Sequence, residues 1–282
     1  MRYKLICRDK EIFLEKKTHI MGILNVTPDS FHDGGNYFKL DDALRQTERM
    51  IIEGADIIDI GGESTRPGSF AVSEEEELNR VIPVIREIAK RFNTLLSIDT
   101  TKSRVAEVAL GEGASMVNDI SGLKFDPRIA EVASKHRAGL VLMHTPSRPI
   151  DMQYKTQYSS IIKDITLSLA KSVRLAEEKG VPPESIVVDP GFGFGKTVQQ
   201  NLTLLKNLEE FLVLKKPILI GTSRKSFIHK VLGGSRDAEE ELAGTAATVA
   251  IAIMNYASII RVHDVLYMKN VARIADAVLH PN

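Results

Sequence analysis

ADIIDIGGESTRPGSFAVSEEEELNRVIPVIREIAKRFNTLLSIDT, residues 55–100, reads as a strand, a loop, a helix and a second strand. Its ends, ADIIDIGG (55–62) and TLLSIDT (94–100), are short and nearly continuous in hydrophobicity, the pattern of strands covered on both faces. Between them Leu78, Val81, Ile82, Ile85, Ile88, Ala89 and Phe92 fall on one helical stripe within 73–92. Ser73 followed by Glu76 has the spacing of a capping box. Pro83 lies inside the stripe and is expected to kink or locally break the helix, because it lacks an N–H and crowds the preceding turn.

The same unit recurs outward in both directions. HIMGILNV (19–26) precedes it, and SMVNDI (115–120), GLVLMH (139–144), SIVVDPG (185–191), PILIGTS (217–223) and SIIRVHD (258–264) follow, with helical patterns between. Eight strands alternating with helices require parallel crossovers, and eight is the number that closes a TIM barrel. The expected fold is therefore α/β: a single (β/α)8 barrel domain over 1–282 with an N-terminal strand or hairpin extension. A doubly wound open sheet is the alternative. The weakly polar stretch 243–260 carries Asn255 and reads as a buried helix running into a strand, not a membrane span.

Composition narrows the function classes. The 282 residues carry 37 Lys plus Arg against 37 Asp plus Glu, so no global field draws the chain to nucleic acid or an anionic membrane, and any anion site must be local. Cys7 stands alone, which rules out an intrachain disulfide and thiolate metal clusters. The first residues, MRYKLICRDKEIFLEKK, scatter charge where a secretory signal would need an apolar core, so a cytoplasmic location is expected.

The strand ends carry the chemistry. Asn25, Asp59, Asp99, Asn118, His144, Asp189 and the Arg261/His263 pair close seven of the runs, and the eighth opens into Ser223-Arg224-Lys225-Ser226. In a (β/α)8 barrel these ends form the active-site face; taken singly, each residue is also a good turn or helix cap. Asp99, Asn118 and Asp189 should converge in the barrel mouth. Two carboxylates and an amide suit a ligand edge rich in N–H donors, such as an aminopyrimidine. Arg66, Lys225, Arg261 and His263 make a set of opposite sign that suits a phosphate or pyrophosphate leaving group. Alternation puts Arg261 and His263 on the same side of their strand.

NVTPDSFHDGG (25–35) offers Asn25, Asp29 and Asp33 as hard oxygen ligands that suit Mg²⁺ held through a substrate diphosphate; Thr-Pro-Asp-Ser is equally a good turn. Pro67-Gly68 and Gly34-Gly35 mark two loops able to move as lids. GFGFGK (191–196) invites a nucleotide reading and fails it. Only three residues separate Gly191 from Gly195, and glycines at 191, 193 and 195 miss the dinucleotide spacing. These glycines serve a tight turn or the close approach of a flat ligand.

MGILNVTPDSF, IIDIGGESTRPG, SIDT, VNDI, LMH, DPGFGFGK, GTSRKSFI and IIRVHDV occur in an order and spacing that resemble the dihydropteroate synthase family over essentially the whole chain. The resemblance implies a transferase of folate biosynthesis that condenses 6-hydroxymethyl-7,8-dihydropterin pyrophosphate with 4-aminobenzoate, losing pyrophosphate. It implies that Asp99, Asn118, Met143, Asp189, Gly221 and Lys225 bind the pterin. Asn25, Arg66, Arg261 and His263 would hold the pyrophosphate, Asn25 also coordinating Mg²⁺. Phe31, Thr65, Pro67, Phe194 and Ser226 would form the 4-aminobenzoate side, where sulfonamides compete. Asp33 would help stabilise positive charge, and Arg66, Lys225, Arg261 and His263 would act with it in catalysis. The reaction order implied is loss of pyrophosphate followed by attack of the neutral amine on a pterin methylene cation. That order needs no nucleophile–base–orienter set. A homodimer is implied too, with the Ala/Thr-rich helix at 243–256 one candidate surface.

Two segments depart from the family pattern: His32 stands where a small residue is usual, and MHTPSRPIDMQ follows the fifth strand. A pterin-dependent methyltransferase shares the barrel and the acidic cradle but needs no diphosphate site. A non-catalytic pterin-binding protein would bind without turnover.

Overall fold

Side-chain alternation along parallel strands organises the molecule. The computed structural model describes residues 3–14, 17–27, 36–234 and 237–281. An antiparallel hairpin comes first, β1 (Lys4–Cys7) with β2 (Lys10–Phe13). The barrel follows: β3 (His19–Asn25), β4 (Ile57–Gly61), β5 (Leu95–Asp99), β6 (Met116–Asp119), β7 (Gly139–Met143), β8 (Ile186–Asp189), β9 (Ile218–Ile220) and β10 (Ala257–Val262). Strand β10 pairs in parallel with both β9 and β3, Ile260 opposite Ile220 and Ile20, so the sheet closes and the open-sheet alternative falls.

Nine helices among the described residues wrap the barrel: α1 (Asn36–Glu53), α2 (Glu74–Arg91), α3 (Ser103–Gly111), α4 (Arg128–His136), α5 (Ile161–Glu178), α6 (Val198–Lys206), α7 (Ser226–Val231), α8 (Ala238–Met254) and α9 (Val265–Leu279). Each strand is one to four residues shorter than its apolar run, because residues at the ends of the runs belong to the flanking loops. Helix α2 is continuous through Pro83, contrary to the expected break. Val81, Val84, Ile85 and Ile88 bury its stripe, and exposed Pro83 removes a single backbone donor outside that packed face. Of the capping box at its start, half forms. Ser73 Oγ accepts from Glu76 N at 3.2 Å, while the Glu76 carboxylate pairs with Arg80.

Alternation divides the strands between two cores. Ile58, Ile60, Leu96, Ile98, Val117, Leu140, Leu142, Val188 and Ile260 face outward into the layer shared with the helices. Their neighbours face the barrel axis. Met21, Ile57, Leu95, Met116, Val141, Val187, Leu219 and Ile259 form an apolar inner core together with Leu5, Cys7 and Leu14 of the hairpin region. The hairpin thus closes the barrel at the N-terminal ends of the strands. Arg8 ties it down by donating to Leu110 O at 2.8 Å and Ala114 O at 3.0 Å, and Lys10 by donating to Thr94 O at 2.6 Å. One or two inward residues further along each strand, the chemistry begins. No helix among the described residues is long and apolar enough to cross a membrane.

Candidate active site

Strand register assembles the acidic floor. Asn25 pairs with Gly61, Gly61 with Asp99, and Asp99 with Asn118, so residues from four strands form one row at the mouth. Met143 and Asp189 pair across the next two strands. Parallel pairing gives laterally adjacent residues the same orientation, so the row faces inward as a set. Gly61 leaves the row open at its centre. A Cβ built there would lie 3.6 Å from Asp99 Cβ and 3.8 Å from Asn25 Oδ1, so a side chain at 61 would crowd the space between them.

Asp59, one inward position below Gly61, holds the floor together. It is fully buried, and its Oδ2 accepts from Asn118 Nδ2 at 3.0 Å and from Arg261 Nε at 2.6 Å. Its Oδ1 makes no hydrogen bond. Arg261 also donates through Nη2 to Asp99 Oδ2 at 2.7 Å. In the sequence Asp59 is a strand end with no assigned role. The signal was present in the period-2 spacing of Asp59 and Gly61, which puts both inside the barrel.

Burial sets the protonation states. Desolvation pushes the Asp99 carboxyl up, against the opposing pull of Arg261. It raises Asp189 to about 6, although Asp189 Oδ1 accepts from Gly191 N at 2.7 Å. It lowers Lys225 to about 8, with Arg261 pushing the same way. Lys225 Nζ stands 4.3 Å from the centre of the Phe194 ring, a cation–π contact. Phe194 belongs to a small buried apolar wall with Ile120, Met143 and Met152. A flat ring entering the mouth therefore meets acceptors on one edge and this wall beside it.

The cationic rim is equally defined. Burial lowers His263 to about 3, and the positive charges of Arg224, Arg261, Lys225 and Arg66 push it the same way. His263 Nδ1 lies 3.0 Å from Ser223 Oγ, and that oxygen accepts from His263 N at 3.3 Å. The Ser223 hydroxyl thus holds the imidazole through Nδ1 and the backbone N–H of the same residue. Arg224 is itself paired, Nη2 to Asp264 Oδ1 at 2.9 Å.

The expected residues fall as follows. Asp99, Asn118, Met143, Asp189, Gly221, Lys225, Phe194, Arg261 and His263 converge on the mouth. Arg66 and Pro67 are exposed on the loop after β4, Thr65 is half-buried there, and Ser226 opens α7. Two guanidinium nitrogens of Arg261 are engaged on the acidic side, so it joins the floor to the rim. Phe31, Asp33, Asp29, His32 and Gly34-Gly35 lie outside the described residues. His144 is not in the mouth: its Nδ1 is 3.3 Å from Lys196 Nζ behind the wall.

GFGFGK is a tight turn. Gly191, Gly193 and Gly195 have φ of 75°, 80° and 57°. A Cβ at Gly191 would lie 2.0 Å from His144 O and one at Gly195 2.2 Å from Pro146 Cγ. Buried Lys196 donates to Gly191 O at 2.7 Å and Phe194 O at 2.9 Å, so its ammonium is spent inside the loop. The departing segment 145–153 packs on this turn. Gln153 Nε2 donates to Gly193 O at 2.8 Å, and Met152 enters the apolar wall.

A charged groove of about 490 Å³ lies elsewhere, outside the barrel between α3 and α4. Its charges are paired, Lys135 with Glu107 inside the groove and Arg104 with Glu75 beside it, which leaves little net field for a ligand.

A closed barrel with an acidic floor and a cationic rim suits a pterin-binding enzyme. Residues 21–263 match the family model for pterin binding enzymes, and the chain belongs to that family, within its dihydropteroate synthase branch. The dihydropteroate synthase of Synechocystis sp. is 49% identical over 93% of this chain and 91% of that protein. That of Bacillus subtilis is 48% identical over 94% and 90%. Among solved structures, the Yersinia pestis dihydropteroate synthase with a sulfonamide drug complex superposes with a TM-score of 0.91 at 40% identity, over 98% of this chain and 99% of that one. The Xanthomonas albilineans dihydropteroate synthase with 4-aminobenzoic acid also scores 0.91, at 37% identity over 100% of both chains.

Proposed function

We propose that the chain condenses 6-hydroxymethyl-7,8-dihydropterin pyrophosphate with 4-aminobenzoate, giving 7,8-dihydropteroate and pyrophosphate. The observation that carries this reading is the opposed charge of floor and rim within one barrel mouth. Asp99, Asn118 and Asp189 accept from the N–H edge of the pterin, with Met143 and Phe194 beside the ring and Lys225 over it. The methylene C–O bond breaks toward the rim, where Arg66, Arg261 and the neutral imidazole of His263 take up the charge of the departing diphosphate. The neutral amine then forms the C–N bond and loses its proton. The carboxylates at the ring's edge stabilise the methylene cation in between.

Mg²⁺ fits this arrangement. Among the described residues no group of three His, Cys, Asp or Glu side chains is placed to hold a metal ion. Mg²⁺ accepts a site built from one hard protein oxygen, such as Asn25 Oδ1 at the end of the floor's row, with diphosphate oxygens and water. Bound there it would neutralise charge on the leaving group.

Thr65, Pro67, Ser226 and Phe194 are proposed to receive 4-aminobenzoate, Phe31 and Asp33 of the first loop joining them. The ligands named for the Yersinia and Xanthomonas structures support this, and sulfonamides are expected to compete. We also propose a cytoplasmic homodimer. Ile251, Met254, Tyr256, Tyr267, Ile274 and Val278 leave an exposed apolar surface on and beside α8 and α9. Sedimentation of the purified chain tests the dimer; a monomer at micromolar concentration would overturn it.

The activity is tested by following pyrophosphate release with both substrates and Mg²⁺. Release that depends on 4-aminobenzoate and is blocked by a sulfonamide is expected. Pterin binding without release would favour a non-catalytic binder. Methyl transfer from a methyl-pterin, with no release, would favour the methyltransferase reading.

A further inference from the structure

The loop after β4 raises a mechanical question, because Arg66 and Pro67 are exposed and the loop's working residues do not sit on a strand. Its tip is tied by backbone bonds, Ser69 N to Arg66 O at 3.0 Å and Gly68 N to Pro149 O at 3.0 Å. Its base is closed by a side chain: Glu63 Oε2 accepts from Val72 N at 3.0 Å, joining the two ends. The same oxygen accepts from Lys102 Nζ at 2.5 Å, and Lys102 reaches on to Glu77 Oε2 at 2.5 Å. Glu77 is fully buried on α2, and its Oε1 makes no hydrogen bond.

We propose that Lys102 is a positioning residue, which bridges Glu63 and Glu77 to lock the base of the 62–73 loop and so holds Thr65, Arg66 and Pro67 over the barrel mouth. This is a lock and not a surface pair. Two carboxylates meet at one ammonium, and the groups are scarcely exposed, at 17% for Lys102, 15% for Glu63 and 1% for Glu77. Without Lys102, like charges within about 5 Å of each other face across a poorly solvated gap, and the base opens. Asp99, Asn118 and Asp189 sit on strands and do not depend on this loop. The loss therefore falls on the second substrate and the leaving group, not on the pterin ring. The proposal rests on the function read above in naming what the loop serves.

The test uses Lys102→Met, and Glu63→Ala as a second variant that leaves the Lys102–Glu77 pair intact and so avoids an uncompensated buried charge. In both, amide exchange at Val72 is expected to speed up at least tenfold, and KM for 4-aminobenzoate to rise roughly ten- to a hundredfold. Binding of 6-hydroxymethyl-dihydropterin, which lacks the diphosphate, should stay within threefold of wild type. Lys102→Arg should restore most of the KM. Wild-type exchange at Val72 in both variants overturns the proposal. So does faster exchange with an unchanged KM, or loss of pterin binding alongside it. If the wild-type chain releases no pyrophosphate, the function reading fails, while Val72 exchange still judges the lock.

Discussion

Asp59 shows how a residue outside substrate contact can govern a site. Its one bonded oxygen fixes both Asn118 and Arg261, and a single truncation frees an amide and a guanidinium at once. Asp59→Ala is expected to lower kcat/KM for the pterin substrate about a hundredfold, roughly 2.7 kcal/mol of transition-state stabilisation. Steady-state kinetics at fixed 4-aminobenzoate check this; a value within threefold of wild type would remove Asp59 from the site. The shifted groups also fix the pH profile. Asp189, raised to about 6, is the ionised acceptor the ring edge needs only above that pH, and Asp99 is displaced in the same direction. Lys225, lowered to about 8, carries its charge only below that pH. kcat/KM should therefore rise through pH 6 and fall through pH 8. His263, held near 3, stays neutral throughout and adds no limb. Lys225→Arg should move the alkaline limb out of the measured range, whatever it does to the maximum. An alkaline limb unchanged in that variant would assign it to another group.

At the scale of elements, the barrel was legible and its joints were not. Runs such as SIDT and VNDI reveal strands because both faces are dry, and their period-2 pattern already says which residue points inward. What the pattern cannot carry is a partner distant in sequence. Glu63, Lys102 and Glu77 come from three elements, and Asp59 meets Arg261 across 202 residues. Pro83 misled for a related reason: helix propensity is local, whereas the packing of Val81, Val84, Ile85 and Ile88 that overrides it is tertiary. The 191–196 turn lies between these cases. Its glycines announced a turn, but only the structure shows that Gly191 is crowded by a carbonyl. Gly191→Ala would place a Cβ 2.0 Å from His144 O at a φ of 75°, so the turn must move, carrying Phe194 away from Lys225. The expected result is a loss of about 3 kcal/mol or more in urea unfolding, with turnover falling further than stability explains. Stability and activity equal to wild type would show that the turn tolerates a second conformation.

Across the whole molecule, stability and chemistry occupy opposite ends of one cylinder. A neutral chain separates its charge locally, with acceptors on the floor and cations on the rim, and keeps the lower interior apolar. The hairpin completes that lower interior, since Leu5 and Cys7 are fully buried against Met21, Ile57 and Leu95. Asp99 stands two inward positions above Leu95 on β5, about 13 Å along the strand, with Ser97 between. Leu5→Ala should therefore open a cavity and cost about 2–4 kcal/mol, because barrel strands cannot collapse inward to fill it. Well below the melting temperature, kcat and both KM values should match wild type, since neither the Asn25–Asn118 row nor the Arg261 bonds touch the hairpin. Urea unfolding and steady-state kinetics on the same preparation separate the two quantities. A rise in either KM at 25 °C, with the protein folded, would mean that strain at the bottom of the barrel reaches the mouth through the strands.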